Sequence, residues 1–344
     1  MLTVYNHLPE GLLQLPAARL HERLPGPCLI HLEGRRPNPL FISVLLHGNE
    51  DTGWQAAQAI LQKHARSGLP RSLSLFIGNL DAARQGQRRL EGQPDYNRVW
   101  PGTPDTGLPE FHMMKQVVDD MARRGVFASV DVHNNTGLNP HYACVNELAN
   151  PFLHLATLFS RTVVYFVRPL GVQSAAFAKL CPSVTVECGK AGSAGSAEHA
   201  ASFLEACLNL SEFPVHPVPP QDVDLFHTVA TVKVPDALSF GFGAHGLDID
   251  FVPDLDHLNF RELERGAVFG QTRGGGQACL QAIDEDGRDV GAHLFDCSGG
   301  QIRLRKPLMP AMLTRDERVI RQDCLCYLME RLHYTPRATG TLKA

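Results

Sequence analysis

The chain has 344 residues, of which 44% are hydrophobic and 20% charged, and its formal net charge is −4. That length supports a large core and two domains, and the charge balance offers no general basic field for nucleic acid. The N-terminus lacks the basic and apolar segments of a signal peptide, and no apolar run nears the ~20 residues that span a bilayer, so a cytoplasmic protein that binds neither nucleic acid nor membrane is expected.

The pattern alternates between about residues 40 and 210. Strands are expected at 41–46, 73–78, 127–132, 163–167 and 183–187, and helices at 52–63, 110–123, 150–159 and 197–208. Short Val-, Ile- and Phe-rich strands separated by helices argue for an α/β layer with a largely parallel sheet buried on both faces. Ser196 is the expected N-cap of the last helix. The proline-rich stretch 214–220 cannot be helical and marks a boundary. It divides the chain into a domain of residues 1–213 and a small β-rich domain of residues 214–344. Short β-like runs follow at 223–234, 267–272, 277–282, 293–297 and 301–305, between turns such as Asp286-Gly287 and Ser298-Gly299-Gly300. Residues 319–329 read equally as strand or helix. No internal repeat occurs.

Nine cysteines are scattered, with no Cys-x-x-Cys pair and only Cys324-x-Cys326 close together. They read mostly as reduced, buried thiols of a cytosolic protein, and a cysteine-built zinc site is not expected.

The chemistry gathers at strand ends. His47-Gly48-Asn49-Glu50 sits between the strand 41–46 and the next helix, so one tight turn aims an imidazole and a carboxylate at a common point. His133 closes the strand 127–132 and opens the polar loop Asn134-Asn135-Thr136-Gly137. The carboxyl ends of strands in an open α/β sheet gather on one edge, where sites are built. Two nitrogens, one carboxylate and an open position make the ligand set of catalytic zinc. Glu187 ends the apolar strand 183–187, where a carboxylate is costly without a partner or a task. As a general base it would take a proton from water and pass it to a leaving amine. Arg98 is a natural fork for a substrate carboxylate, with Asn97 adding a hydrogen bond. Arg84, Arg88 and Arg89 offer a cation for a developing oxyanion. Asp131 reads equally as a group that orients a ligand or as a structural ion-pair partner. Asp51 reads as a helix-start charge. For His141, His199, His227 and His245 a surface or satisfied core role is the default, and for Tyr165 core packing.

Five pieces in order carry a resemblance: His47-Gly48-Asn49-Glu50, Gly78-Asn79-Leu80-Asp81-Ala82-Ala83-Arg84, Asp95-Tyr96-Asn97-Arg98, Asp131-Val132-His133 and Val186-Glu187-Cys188-Gly189-Lys190. They resemble the succinylglutamate desuccinylase/aspartoacylase branch of the zinc-carboxypeptidase superfamily over roughly residues 40–195. The resemblance implies a three-layer α/β/α domain with a mixed, largely parallel sheet, followed by a β-rich C-terminal domain. It implies one Zn2+ per chain on His47, Glu50 and His133, Glu187 as base, and Asn97 and Arg98 on the substrate carboxylate. Arg88 best matches the arginine that polarises the scissile carbonyl, with Arg89 the alternative. The chain departs from the aspartoacylases before Glu187: residues 174–180 hold no arginine, and Arg168 lies too far back to match. Neither named substrate is therefore carried over. The expected function is a zinc amidohydrolase deacylating a small N-acyl amino acid or related carboxylate. The rival readings are a zinc carboxypeptidase or esterase, and a non-catalytic metal-binding module. A small carboxylate is the expected partner, and the oligomeric state, homo-oligomers included, is left open.

Overall fold

The computed structural model describes residues 1–243, 246–273 and 279–333. Up to residue 209 its strands are β1 (Thr3–Tyr5), β2 (Cys28–Leu32), β3 (Gly34–Val44), β4 (Leu69–Ile77), β5 (Ala128–Asn135), β6 (His141–Val145), β7 (Thr162–Tyr165) and β8 (Ser183–Lys190). The helices are α1 (Thr52–His64), α2 (Leu80–Arg84), α3 (Pro109–Arg123), α4 (Asn150–Thr157), α5 (Gln173–Phe177) and α6 (Ser196–Asn209).

Strand β5 is buried along its whole length, as an inner strand covered by helices on both faces must be. On one face, α1, α4 and α6 cover the sheet. Trp54, Ala57, Ile60 and Leu61 of α1 recur at helical spacing on the buried side. The Trp54 indole N–H donates to the Leu15 carbonyl at 2.9 Å and ties the N-terminal segment to this layer. On the other face, Met113, Met114, Val117 and Met121 of α3 pack with Phe41, Phe76, Trp100 and Phe177. The Phe41 and Phe177 rings stack at 4.3 Å. The result is three layers, α/β/α.

The later strands are β9 (Asp224–Lys233), β10 (Phe240–Phe242), β11 (Ile249–Phe251), β12 (Val268–Thr272), β13 (Gln281–Ile283), β14 (Phe295–Asp296), β15 (Gln301–Leu304), β16 (Met309–Ala311) and β17 (Cys326–Arg331). The main sheet runs through residue 214 without a break. Its order is β1-β2-β4-β3-β5-β8-β6-β7-β9-β17-β16, with β13 also on β9. Strands β3, β4, β5 and β8 pair in parallel and β6 runs against β8, so the sheet is mixed. A second sheet, β10-β11-β12-β15-β14, shares a core around Phe251, Phe269, Phe295 and Ile302 with Val232 of β9 and Leu328 of β17. The C-terminal region is therefore β-rich, yet part of it is an extension of the main sheet.

Several local expectations are corrected. The undecided stretch 319–329 holds both elements: helix α8 (Glu317–Gln322), capped by Asp316, then β17. The run 293–297 is the short helix α7 (Gly291–Leu294) followed by the two-residue β14. Ser196 is the first helical residue and not the cap, because Gly195 occupies that position at φ 81°, which suits glycine. Residues 277 and 278 of the expected run 277–282, and His245, lie outside the described residues. Cys279 and Cys297 form a disulfide, while the other seven cysteines are free and mostly buried. Among the described residues no helix is long and apolar enough to cross a membrane.

Gly48 lies where the turn after β3 presses on α2. A Cβ there would stand 2.1 Å from the Ala83 nitrogen and 2.2 Å from the Ala82 carbonyl carbon. Gly48→Ala is expected to cost about 3 kcal/mol of unfolding free energy, read by chemical denaturation. An unshifted midpoint would contradict this close approach.

Candidate metal centre and catalytic cavity

The site is built where β3, β5 and β8 end. After Val44 the chain enters the left-handed region at Leu45, φ 56°, a conformation costing a branched side chain about 1–3 kcal/mol. This strained exit re-aims the backbone into the turn that carries His47. Two hydrogen bonds hold the turn: Glu50 N–H to the His47 carbonyl at 3.2 Å, and Gly48 N–H to the Arg88 carbonyl at 3.1 Å. Strands β5 and β8 are parallel neighbours in which His133 and Glu187 are register partners. Across β8, Glu187 is the partner of Tyr142.

His47 Nδ1 lies 2.8 Å from Glu50 Oε1, and His133 Nδ1 lies 2.7 Å from Glu50 Oε2. Each residue thus offers one ligand atom, all within 4.8 Å of one another, and all three are buried. The second nitrogen of each ring is held by a carboxylate: His47 Nε2 by Asp95 at 3.1 Å and His133 Nε2 by Asp131 at 2.7 Å. Asp131 is fixed in turn by the Ser43 hydroxyl at 2.6 Å, and Asp95 by the Asn97 N–H at 2.7 Å. Carboxylates behind imidazoles fix the ring that presents Nδ1 to a metal.

The electrostatics agree with a cation site. Burial opposes charge on His133, but Asp131 and Glu50 outweigh it and raise its pKa well above the usual range. Burial and Arg88 oppose charge on His47, where Glu50 and Asp95 win. Burial acts against the Glu50 carboxylate, yet the two imidazoles hold its pKa far below the ordinary value. A cluster that collects two protons around one carboxylate is one in which a divalent cation can replace those protons. Two nitrogens, one carboxylate and no thiol fit zinc.

Glu187 is buried beside this trio, and the Asn135 side-chain amide donates to its Oε2. Burial pushes its carboxyl up to about 8, with His133 opposing and Glu50 and Asp131 reinforcing. Such a shift suits a group that must exchange protons near neutrality.

Around one cavity, the fold brings together His47, Glu50, His133, Glu187, Arg88, Asn97 and Arg98. Arg88 Nη2 donates to Asp95 and to Asp323, both at 2.9 Å, and its Nη1 stands 3.8 Å from Glu50. Arg89 is turned to the Gln93 carbonyl at 2.6 Å, and Arg84 is exposed. Arg98 Nη2 donates to the other Asp323 oxygen at 2.9 Å. Asn97 stands at the back of the cavity. Its amide nitrogen is 3.3 Å from Asp131 and 3.2 Å from His133 Nε2, and its oxygen accepts the Gln173 N–H at 2.9 Å.

Three contributors escaped the sequence reading. Asp95 lies inside a recognised motif without an assigned role. Asp323 and Tyr327 come from the segment whose secondary structure was undecided, and Tyr327 reaches Arg98 Nη2 at 3.4 Å. The signal for Asp323 was the one used for Glu187, an acid within an apolar stretch. Arg168 lines the cavity despite its distance in sequence from Glu187. Tyr165 is half-buried against the His227 ring, and His141 stacks on His199 at 4.6 Å. Asp51 precedes α1 without a capping bond and accepts from Gln55 at 2.9 Å.

Fold and site together define an α/β protein with a candidate metal centre and the parts of a hydrolase. Residues 38–213, just over half of the chain, match the model of the succinylglutamate desuccinylase/aspartoacylase catalytic domain, and the chain belongs to that family of deacylases. Similar solved structures include the succinylglutamate desuccinylase of Chromobacterium violaceum, at 18% identity and TM-score 0.55 over 88% of this chain and 86% of that one. Another is the succinylglutamate desuccinylase of Vibrio parahaemolyticus, at 14% identity and TM-score 0.56 over 86% and 82%. Murine aminoacylase 3 aligns at 15% identity and TM-score 0.53 over 87% and 96%. At these identities the likeness shows the fold. No curated protein sequence matches the chain.

Asp131→Asn is expected to weaken metal affinity about 10–100-fold, read by competition with a chromophoric chelator; unchanged affinity would remove Asp131 from the ligand support. A second expectation concerns the metal-free protein. Because the folded pKa of Glu187 lies above its ordinary 4.5, its contribution to stability is fully present below pH 4.5 and is lost as pH rises through about 8. The melting temperature of the metal-free wild type should therefore fall relative to Glu187→Gln across that window. A constant difference would show that the carboxyl is not perturbed.

Proposed function

We propose that the chain is a zinc-dependent amidohydrolase that removes the acyl group from a small N-acylated amino acid or related carboxylate. The observation that carries this reading is the register pairing of Glu187 with His133, which sets a buried, proton-holding carboxyl beside the His-Glu-His trio. One zinc per chain on His47, Glu50 and His133 would supply Lewis acidity, polarising a carbonyl and lowering the pKa of water to about 7.

The chain's own groups supply the rest. Glu187 takes the proton of the attacking water and returns it to the leaving nitrogen. Arg88, backed by Asp95 and Asp323, donates from its guanidinium to the oxyanion that develops on the scissile carbonyl. Arg98 anchors a substrate carboxylate, and Asn97 beside it steadies both the anchor and the ligand support. Asp95 and Asp131 keep the imidazoles from turning. Seven free cysteines against one disulfide suit a reducing compartment such as the cytosol.

The test pairs chemistry with metal content. Glu187→Gln should keep its zinc and lose turnover by about 10²–10⁴-fold on whichever substrate emerges from a panel of N-acyl amino acids, dipeptides and esters. Turnover comparable to wild type would remove Glu187 from the mechanism, and activity confined to dipeptides or esters would overturn the deacylase reading.

A further inference from the structure

The cavity has a floor that the proposed chemistry does not use. It is the face of the main sheet running away from the metal site and across residue 214. One row of cross-strand partners passes from Thr185 to Cys144, Val164 and Phe226. A neighbouring pair, Thr228 and Met329, continues it onto the C-terminal strands. Tyr142, Val164, Phe226, Met309, Ala311 and Met329 form a buried apolar cluster separate from the cores that hold the helices and the second sheet. Val164, Phe166, Val172, Met312 and Met329 all line the cavity.

The charges of Arg88 and Arg98 are already matched. Arg88 and Arg98 face Asp95 and Asp323, with Asp323 bridging the two guanidinium groups. One carboxylate of a substrate finds Arg98. Beyond that pair the cation of the lining is Arg168, half-buried, with its Nε engaged by the Glu285 carbonyl at 2.7 Å. A second carboxylate lying on the floor itself would lose its hydration against Val164 and Met329 without a partner. An apolar group there would be released from water instead.

Resting on the deacylase reading, we infer that this floor is a subsite for an uncharged apolar group. The substrate class is then an N-acyl amino acid with a single carboxylate and a branched aliphatic or aromatic substituent, rather than a dicarboxylic one. Val164 and Met329 are the residues that set this preference.

Calorimetric binding to zinc-loaded Glu187→Gln tests the inference without turnover. Two matched pairs serve as probes: N-acetylleucine against N-acetylaspartate, and N-isovalerylglycine against N-succinylglycine. In at least one pair the apolar member should bind ~10-fold tighter or more. Adding Val164→Thr, nearly isosteric, should cut that advantage about threefold or more and leave the acidic member unchanged. Equal or tighter binding of the acidic member in both pairs, failure of every probe to bind, or an advantage untouched by Val164→Thr would overturn the subsite. The two readings fail separately. Apolar probes that bind but are not hydrolysed by wild type would sink the deacylase reading alone. Acidic members hydrolysed with the higher kcat/KM would sink the apolar subsite alone.

Discussion

A buried carboxylate needs partners, and Glu50 takes one imidazole on each oxygen. That double contact draws the exit of β3 to the exit of β5 and leaves both Nε2 atoms pointing outward, where Asp95 and Asp131 receive them. The surrounding polar groups follow from this choice. Asp95 recruits Arg88, Asp131 recruits Ser43 and Asn97, and Asn97 holds the start of α5 through Gln173. Pairing within such a buried network is mutually reinforcing, and its residues come from five separate segments: the end of β3 with the turn after it, two stretches of the loop between α2 and α3, β5, and the start of α5.

The sheet joins the two parts of the chain more closely than a connector would. Parallel pairing of β9 with β7 carries the main sheet through the proline-rich stretch. The same extension lays β17 beside β9 and places Asp323, just ahead of β17, between Arg88 and Arg98. The C-terminal region is thus a wall of the cavity.

Much of this was legible in the sequence. The α/β alternation showed because each buried strand is a short apolar run. His47, Glu50, His133 and Glu187 showed because polar groups that close such runs must converge on something. The choice among Arg84, Arg88 and Arg89 was not legible, since neighbouring arginines differ only in the direction a loop gives them. Asp131 was ambiguous because a strand position does not name the residue across it, and here that residue is Ser43. Asp323 was hidden for a different reason. Its segment mixes a helical turn with a strand, and its partner Arg98 lies 225 positions away. Continuation of the sheet past residue 214 is likewise a non-local pairing that no local pattern encodes.

Consider the order in which this chain can assemble its site. The trio and Glu187 come from strands that pair early in the chain, while the carboxylate that neutralises the arginines is 235 positions beyond Arg88. Closing so long a loop is entropically slow. Until β17 docks, Arg88 keeps Asp95 as its acidic partner while Arg98 lacks the Asp323 carboxylate. The charge balance of the pocket therefore depends on a contact far away in sequence, and Asp323 makes it.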